Sequence, residues 1–301
     1  MPIALVTGIN GFTGKHLVPE LQFAGFTVCG IAQETSESSA TTIVKCDLTD
    51  RKSTIEAVSE LSPDIVIHLA GIAFAAHDDV EEIYRTNVLG TRNLLEALAR
   101  CKKSPRAVLV ASSANIYGNA RVIPITENTP PAPANDYAVS KLAMEYLARL
   151  WQEKLPIVIA RPFNYTGRGQ SLQFLLPKIV DHFRRRAVAI ELGNLEVIRD
   201  FTDVRSLVRI YRMLIESALG GEVYNVCSGI GYSLKDVISI MHDLSGHNLE
   251  VVINPAFVRE NEIRKLIGSR KKLDAAIGRV DPIPLRETLR WMYEAGEAAS
   301  A

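Results

Sequence analysis

The sequence predicts an α/β fold: a doubly wound parallel sheet followed by a smaller α+β region. Two observations carry this. Apolar strand-like runs alternate with amphipathic helical segments through the first half of the 301-residue chain. Such alternation implies βαβ units, with helices on both faces of a parallel sheet. In addition, the first strand passes through Gly8, Gly11 and Gly14 directly into a helix, the strand–turn–helix order that a dinucleotide site needs.

The elements follow in order. IALVT at 3–7 has the character of a short buried strand. Glycines after it let the backbone approach a pyrophosphate, and the helix over KHLVPELQFAG offers free N–H groups to its charge. The spacing here is GxxGxxG rather than GxGxxG. FTVCGIA gives a second strand, and TTIVKCDL contains a third that ends at Asp47. DRKSTIEAVSEL reads as a helix, DIVIHLAG as the fourth strand and VEEIYRTNVLGTRNLLEALARCK as one long amphipathic helix. RAVLVASSA and LPIVIARPF supply the fifth and sixth strands. Right-handed crossovers place ligands beyond the carboxyl ends of such strands, where Gly8, Asp47, Gly71, Ser113 and Pro162 all fall.

After about residue 165 the pattern loosens. TGRGQSLQF is a polar loop, LPKIVDHFRRRA a helix with a solvated basic end, and VAIELGNLEVIRDFTDV strand and loop. SLVRIYRMLIESA and SLKDVISIMHDLSG read as helices, with the strand EVYNVCSG between them. The expected organisation is a Rossmann-type domain over residues 1–164 and a substrate-binding region over 165–301, parts of which pack back onto the sheet.

Composition narrows the function classes. The chain is 47% hydrophobic, enough for a sizeable core, and its formal net charge is zero. There is therefore no electrostatic case for nucleic acid or an anionic membrane. Cys29, Cys46, Cys101 and Cys227 show no CxxC spacing and read as reduced thiols of a cytoplasmic protein. With the first strand starting at residue 3, no signal peptide is expected. No apolar run approaches the roughly 20 residues of a membrane span. The six histidines form no metal-ligand pattern, so no metal is expected, and His68 reads as a satisfied core residue.

Tyr137 and Lys141 lie four apart in NDYAVSKLAMEYLARL, a predicted helix, and so share a face. A free phenol has a pKa of about 10. A neighbouring ammonium favours phenolate, so Lys141 is expected to lower the Tyr137 pKa and make it a proton donor or acceptor near neutral pH.

GxxGxxG, the HLAG strand end, ASSANIYG, YAVSK and RPFNYTG together resemble the extended short-chain dehydrogenase/reductase family. Within it, RPFNYTGRGQS, GNLEVIRDFTDV, GEVYNVCSG and NPAFVRENEIRKLIGS look most like GDP-4-keto-6-deoxy-D-mannose reductases, which form GDP-D-rhamnose. The resemblance implies a catalytic set of Ser113, Tyr137 and Lys141. Ser113 would bond the substrate oxygen, Tyr137 would donate the proton, and Lys141 would hold the nicotinamide ribose. It implies NADH or NADPH as cofactor, bound by Gly8, Gly11, Phe12, Gly14, Asp47, Leu48, Leu69, Ala70, Gly71, Asn87, Tyr137 and Lys141. A nucleotide-diphosphate sugar, most like a GDP-sugar, would meet Ser113, Asn164, Arg199, Arg259 and Glu262. Arginine suits bidentate phosphate binding, and a carboxylate accepts from ribose hydroxyls. The resemblance also implies a homodimer, formed through helices around 82–100 and 137–150.

Bland alternatives stand beside these roles. Asp47 also reads as a turn residue, Arg199 as the partner of Asp200 in a surface ion pair, and Glu262 as a solvated acid. The end of the second strand, Ala32-Gln33, carries neither the acid of an NAD site nor the arginine of an NADP site, and Glu34 is one step further. The chain also departs from relatives. Sugar 4,6-dehydratases carry an acid where Ala114-Asn115 stand, and GDP-fucose synthases a cysteine where Ala114 stands. The expected reaction is reduction of a 4-keto-6-deoxyhexose, with a nucleotide-sugar 4-epimerase or a reductase forming GDP-6-deoxy-D-talose as alternatives.

Overall fold

The computed structural model describes residues 1–34, 42–73, 79–217, 220–257 and 263–295. The first half runs β1 (Ile3–Thr7), α1 (Phe12–Phe23), β2 (Thr27–Ala32), β3 (Thr42–Lys45), α2 (Arg51–Leu61) and β4 (Ile65–His68). There follow α3 (Val80–Tyr84), a π-helical turn over Arg85–Gly90, α4 (Thr91–Arg100), β5 (Ala107–Ala111), a 3₁₀ turn over Ala114–Tyr117, α5 (Asp136–Arg149) and β6 (Ile157–Pro162). The single long helix expected over 80–102 is thus three segments. At the break the Thr91 hydroxyl donates to the Asn87 carbonyl at 2.7 Å, bonding a side chain into the helical ladder. Such π turns recur at functional sites.

The rest of the chain supplies β7 (Asn164–Thr166), α6 (Leu175–Arg184), β8 (Ala189–Leu192), β9 (Ile198–Asp203), α7 (Val204–Glu216) and β10 (Val223–Val226). It ends with β11 (Gly231–Ser233), α8 (Leu234–Ser245), β12 (Glu250–Ile253), β13 (Lys265–Leu266), α9 (Lys271–Ile277) and α10 (Leu285–Glu294). Where the sequence suggested strand and loop over 188–204, two strands form.

Seven strands make one sheet in the order β10-β6-β5-β4-β1-β2-β3, and all six pairings are parallel. Its strands come from both sides of residue 164, because β10 closes the edge beside β6. The order reverses between β1 and β4, which opens a crevice at their carboxyl ends. One face packs on α1 and α7 through Leu17, Leu21, Leu207 and Leu214. The other packs on α2, α4 and α5 through Val58, Leu94, Leu98 and Met144. Beyond the crevice, β9 pairs with β7, β11 and β13, and β8 with β12. They cover a separate apolar core that includes Phe183, Phe201, Met241 and Leu289. No helix among the described residues is long and apolar enough to cross a membrane.

Candidate active site

The glycine turn is built for close approach. Gly8 takes φ +68°, and a Cβ there would lie 2.8 Å from the Ala70 nitrogen at the end of β4. A Cβ on Gly14 would meet the Ile9 carbonyl oxygen at 2.3 Å. Gly11 is the N-cap of α1 and gives it no side-chain cap, leaving the first-turn N–H groups to a ligand. Two cavities meet here, of about 500 and 510 Å³, and share Gly8, Gly11, Leu69, Gly71 and Ile72. The first also takes in Phe12, Gly14, Ser113, Tyr137, Lys141, Pro162 and Asn164. The second takes in Asp47, Leu48 and Ala70. Together they form one groove across the carboxyl ends of the strands.

Tyr137 is the second residue of α5, whose start is capped by the Asn135 side chain accepting from the Ala138 N–H. Its ring is 7% exposed. Burial pushes the phenol up to about 12, opposed by a hydrogen bond with Ser113. This corrects the expectation that Lys141 lowers it. Lys141 is itself buried, and its ammonium donates to the Ala111 carbonyl at 3.0 Å. Its own pKa falls to about 8, because burial disfavours its charge more than Glu145 supports it. The phenol is therefore held as a proton donor rather than poised near neutrality.

Asn87 is fully buried and ties three elements together. Its Oδ1 accepts from the Ile72 N–H at 2.9 Å, and its Nδ2 donates to Ser140 Oγ at 3.0 Å. Ser140 in turn donates to the Tyr137 carbonyl at 2.8 Å. A Cβ on Gly71 would lie 2.8 Å from Asn87 Oδ1 and 3.2 Å from Lys141 Nζ, so only glycine leaves this part of the groove open. His68 is buried between the Thr7 hydroxyl at 2.7 Å and the Thr91 hydroxyl at 2.8 Å. Burial lowers its pKa to about 3, and it stands as a neutral core residue.

The substrate half is less concentrated. Asn164 lines the first cavity, and its buried Oδ1 has no hydrogen-bond partner, the mark of an atom awaiting a ligand. Arg199 does not line that cavity. Its guanidinium donates to the Ile198 carbonyl at 3.1 Å, while its register partner Leu266 does line it. Asp200 is buried and accepts from the Ser228 and Gly229 N–H groups and the Ser228 hydroxyl. Its carboxylate is consumed there, which removes the alternative of a surface pair with Arg199. Burial raises its pKa against those bonds. Asp47 Oδ1 accepts from the Thr49 N–H at 2.8 Å, so it shapes a turn as well as the groove. Arg259 and Glu262 lie outside the described residues.

Several lining residues went unnamed in the sequence reading. Tyr165, whose hydroxyl meets Thr13 Oγ1 at 2.9 Å, Gln170, Phe174, Leu266 and Tyr211 all face the first cavity. Tyr165 and Gln170 sit inside the RPFNYTGRGQS block and were within reach of a residue-by-residue comparison. Tyr211 carries no such signal, since on amphipathic α7 it reads as core.

Among known proteins, the model of the NAD dependent epimerase/dehydratase family matches residues 4–227. The chain belongs to that family. It is 34% identical over 275 residues to GDP-6-deoxy-D-talose 4-dehydrogenase of Aggregatibacter actinomycetemcomitans, covering 91% of this chain and 90% of that one. GDP-6-deoxy-D-mannose reductase of Pseudomonas aeruginosa is 35% identical over 296 residues, covering 95% and 94%. The solved structure of RMD from Pseudomonas aeruginosa complexed with NADPH superposes with a TM-score of 0.85 at 33% identity, over 99% of this chain and 98% of that one. This family member is an NAD(P)-dependent oxidoreductase of the extended short-chain type that modifies nucleotide sugars. The groove fits the dinucleotide: a glycine cradle, an uncapped helix N-terminus, and a lysine and an asparagine converging on Gly71.

Proposed function

We propose that the protein reduces the 4-keto group of a nucleotide-linked 4-keto-6-deoxyhexose, converting GDP-4-keto-6-deoxy-D-mannose to GDP-D-rhamnose. One observation carries the reading. The described residues that line the first cavity include Ser113 and Tyr137 but no aspartate, glutamate, histidine or cysteine. Removal of water from the sugar, or inversion beside a carbonyl, needs a base that takes a proton from carbon. The described lining offers no carboxylate, imidazole or thiol for that task, and reduction of a ketone needs only a proton donor beside the hydride.

When bound, the nicotinamide supplies a hydride to C4. Tyr137 protonates the oxygen that becomes the hydroxyl, a downhill transfer from a phenol to a far more basic alkoxide. Ser113, hydrogen-bonded to that phenol, steadies the negative charge as it develops. Lys141 and Asn87 hold the ribose side of the groove. Asn164 would turn its amide to the substrate, Nδ2 donating to the diphosphate and the unsatisfied Oδ1 accepting from a sugar hydroxyl, with Arg199, Arg259 and Glu262 as the further substrate contacts.

A second product has a specific observation behind it: the relative at 34% identity acts on GDP-6-deoxy-D-talose by name. Talose and rhamnose differ here in the sugar face that receives the hydride, which the same side chains allow. Incubation with GDP-4-keto-6-deoxy-mannose and NADH or NADPH, followed by NMR of the product, tests the proposal. Stoichiometric cofactor oxidation with a new C4 hydroxyl supports it, and the coupling constants assign the face. Interconversion of 4-hydroxy sugars without net cofactor oxidation would show a 4-epimerase instead.

A further inference from the structure

We propose that the protein selects NADH over NADPH, through carboxylates at the far end of the dinucleotide groove. The inference rests on the NAD(P) chemistry of the family and is independent of the sugar proposed above. The groove's second cavity begins at the glycine turn and ends between the carboxyl ends of β2 and β3. Among the described residues, Glu34, Asp47 and Glu82 line it and no lysine or arginine does.

The full sequence makes the same point: from His16 to Val44 the chain contains no lysine or arginine. Lys45 is the register partner of Ala32 at the sheet edge but does not line the cavity. Arg51, a few residues on, is engaged in a two-pronged ion pair with Glu96. The Asn10 side chain donates to the Glu34 carbonyl oxygen at 2.7 Å, which ties the end of β2 to the glycine turn and holds Glu34 at the groove.

The two cofactors differ only at the 2′ position of the adenosine ribose. A free 2′-hydroxyl donates to a carboxylate standing about 20 residues beyond the glycine turn, which is where Glu34 stands. A 2′-phosphate carries up to two negative charges and requires arginine or lysine. Set among these acidic residues it meets like charge and no lysine or arginine in the described lining. RMD was solved with NADPH, so membership of the family does not by itself decide the choice.

Calorimetric titration of NADH and of NADPH into the full-length protein, without sugar, tests this by binding alone. NADH should bind at least about tenfold more tightly at low salt. The gap should narrow as salt rises, because like-charge repulsion is screened. Glu34→Gln should shrink the preference mainly by weakening NADH, and Glu34→Arg should reverse it. Equal affinities, or tighter NADPH binding that is lost in Lys45→Ala, would overturn the inference. Tight NADH binding in a protein that leaves GDP-4-keto-6-deoxy-mannose untouched would refute the proposed sugar substrate while leaving this inference standing.

Discussion

Two side chains carry the proposed chemistry, and burial sets both in ways that can be measured. Tyr137→Phe keeps the ring that packs below Ser113 and removes the proton. General acid catalysis is typically worth about 10²–10⁴-fold, so kcat for reduction should fall by that order while the far-UV spectrum stays unchanged. Turnover like that of the unmodified protein would remove Tyr137 from the mechanism. The pH profile should be set by the lysine. The Tyr137 phenol, pushed up to about 12, stays protonated across the usual assay range. Lys141, lowered to about 8, loses its charge first as pH rises. The pH dependence of kcat/KM for the nicotinamide reports groups in the enzyme form that binds it. It should therefore show an alkaline limb near pH 8, and a profile flat to pH 10 would contradict a Lys141 that loses its charge there and is needed at the ribose.

At the level of elements, α5 and β9 illustrate how the frame holds the site. Behind Ser113, Arg161 on β6 grips Glu145 on α5 with Nε at 2.8 Å and Nη2 at 2.6 Å, and both side chains are less than 5% exposed. Ser112 donates to the same carboxylate, and Tyr117 links Arg161 onward to Asn225 on β10. Removing one partner of such a pair strands a buried charge, at a cost of about 3–5 kcal/mol. Arg161→Met should lose that much stability in urea, and adding Glu145→Met should recover most of it. A single variant as stable as the parent would mean that the pair does not lock α5 to the sheet. On β9, neighbours point to opposite faces, so Arg199 and Asp200 have separate duties. Arg199→Ala should raise the Michaelis constant for the GDP-sugar at least about tenfold and leave nicotinamide affinity unchanged. No change in the sugar constant would make Arg199 a packing residue of its own sheet.

At the scale of the whole molecule, one face of α5 stands exposed among the described residues. Val139, Tyr146 and Leu150 fall on one side of α5 and its C-cap, and are 38%, 58% and 82% exposed. Leu89, in the π turn packed beside α5, is 49% exposed. Apolar residues at that spacing form a stripe suited to a cover, which a second copy would supply symmetrically, α5 against α5. The expected state is a homodimer. Light scattering at micromolar concentration should give twice the 33.1 kDa chain mass, and Tyr146→Asp with Leu150→Asp should return a monomer. A monomeric parent protein would remove the dimer and leave the stripe unexplained.

Local pattern was enough for much of this protein. Strand and helix order through residue 162, the glycine turn, and the shared face of Tyr137 and Lys141 are legible because hydrophobic period, glycine spacing and helical i,i+4 geometry all act within a few residues; the place of Ser113 beside them came from the family resemblance. Strand-end placement follows from them, and Gly8, Asp47, Gly71, Ser113 and Pro162 do line the groove. Packing between distant segments decided the rest. A helix pattern does not show that Thr91 will break it beside Asn87, nor that Tyr211 on an amphipathic helix will reach a cavity. Neither does i,i+4 spacing show that desolvation outweighs any effect of Lys141 on Tyr137, because desolvation is the sum of everything that excludes water from that atom. The acidic lining at the far end of the groove is of the same kind: Glu34, Asp47 and Glu82 are scattered in the chain, and only the fold brings them to one cavity.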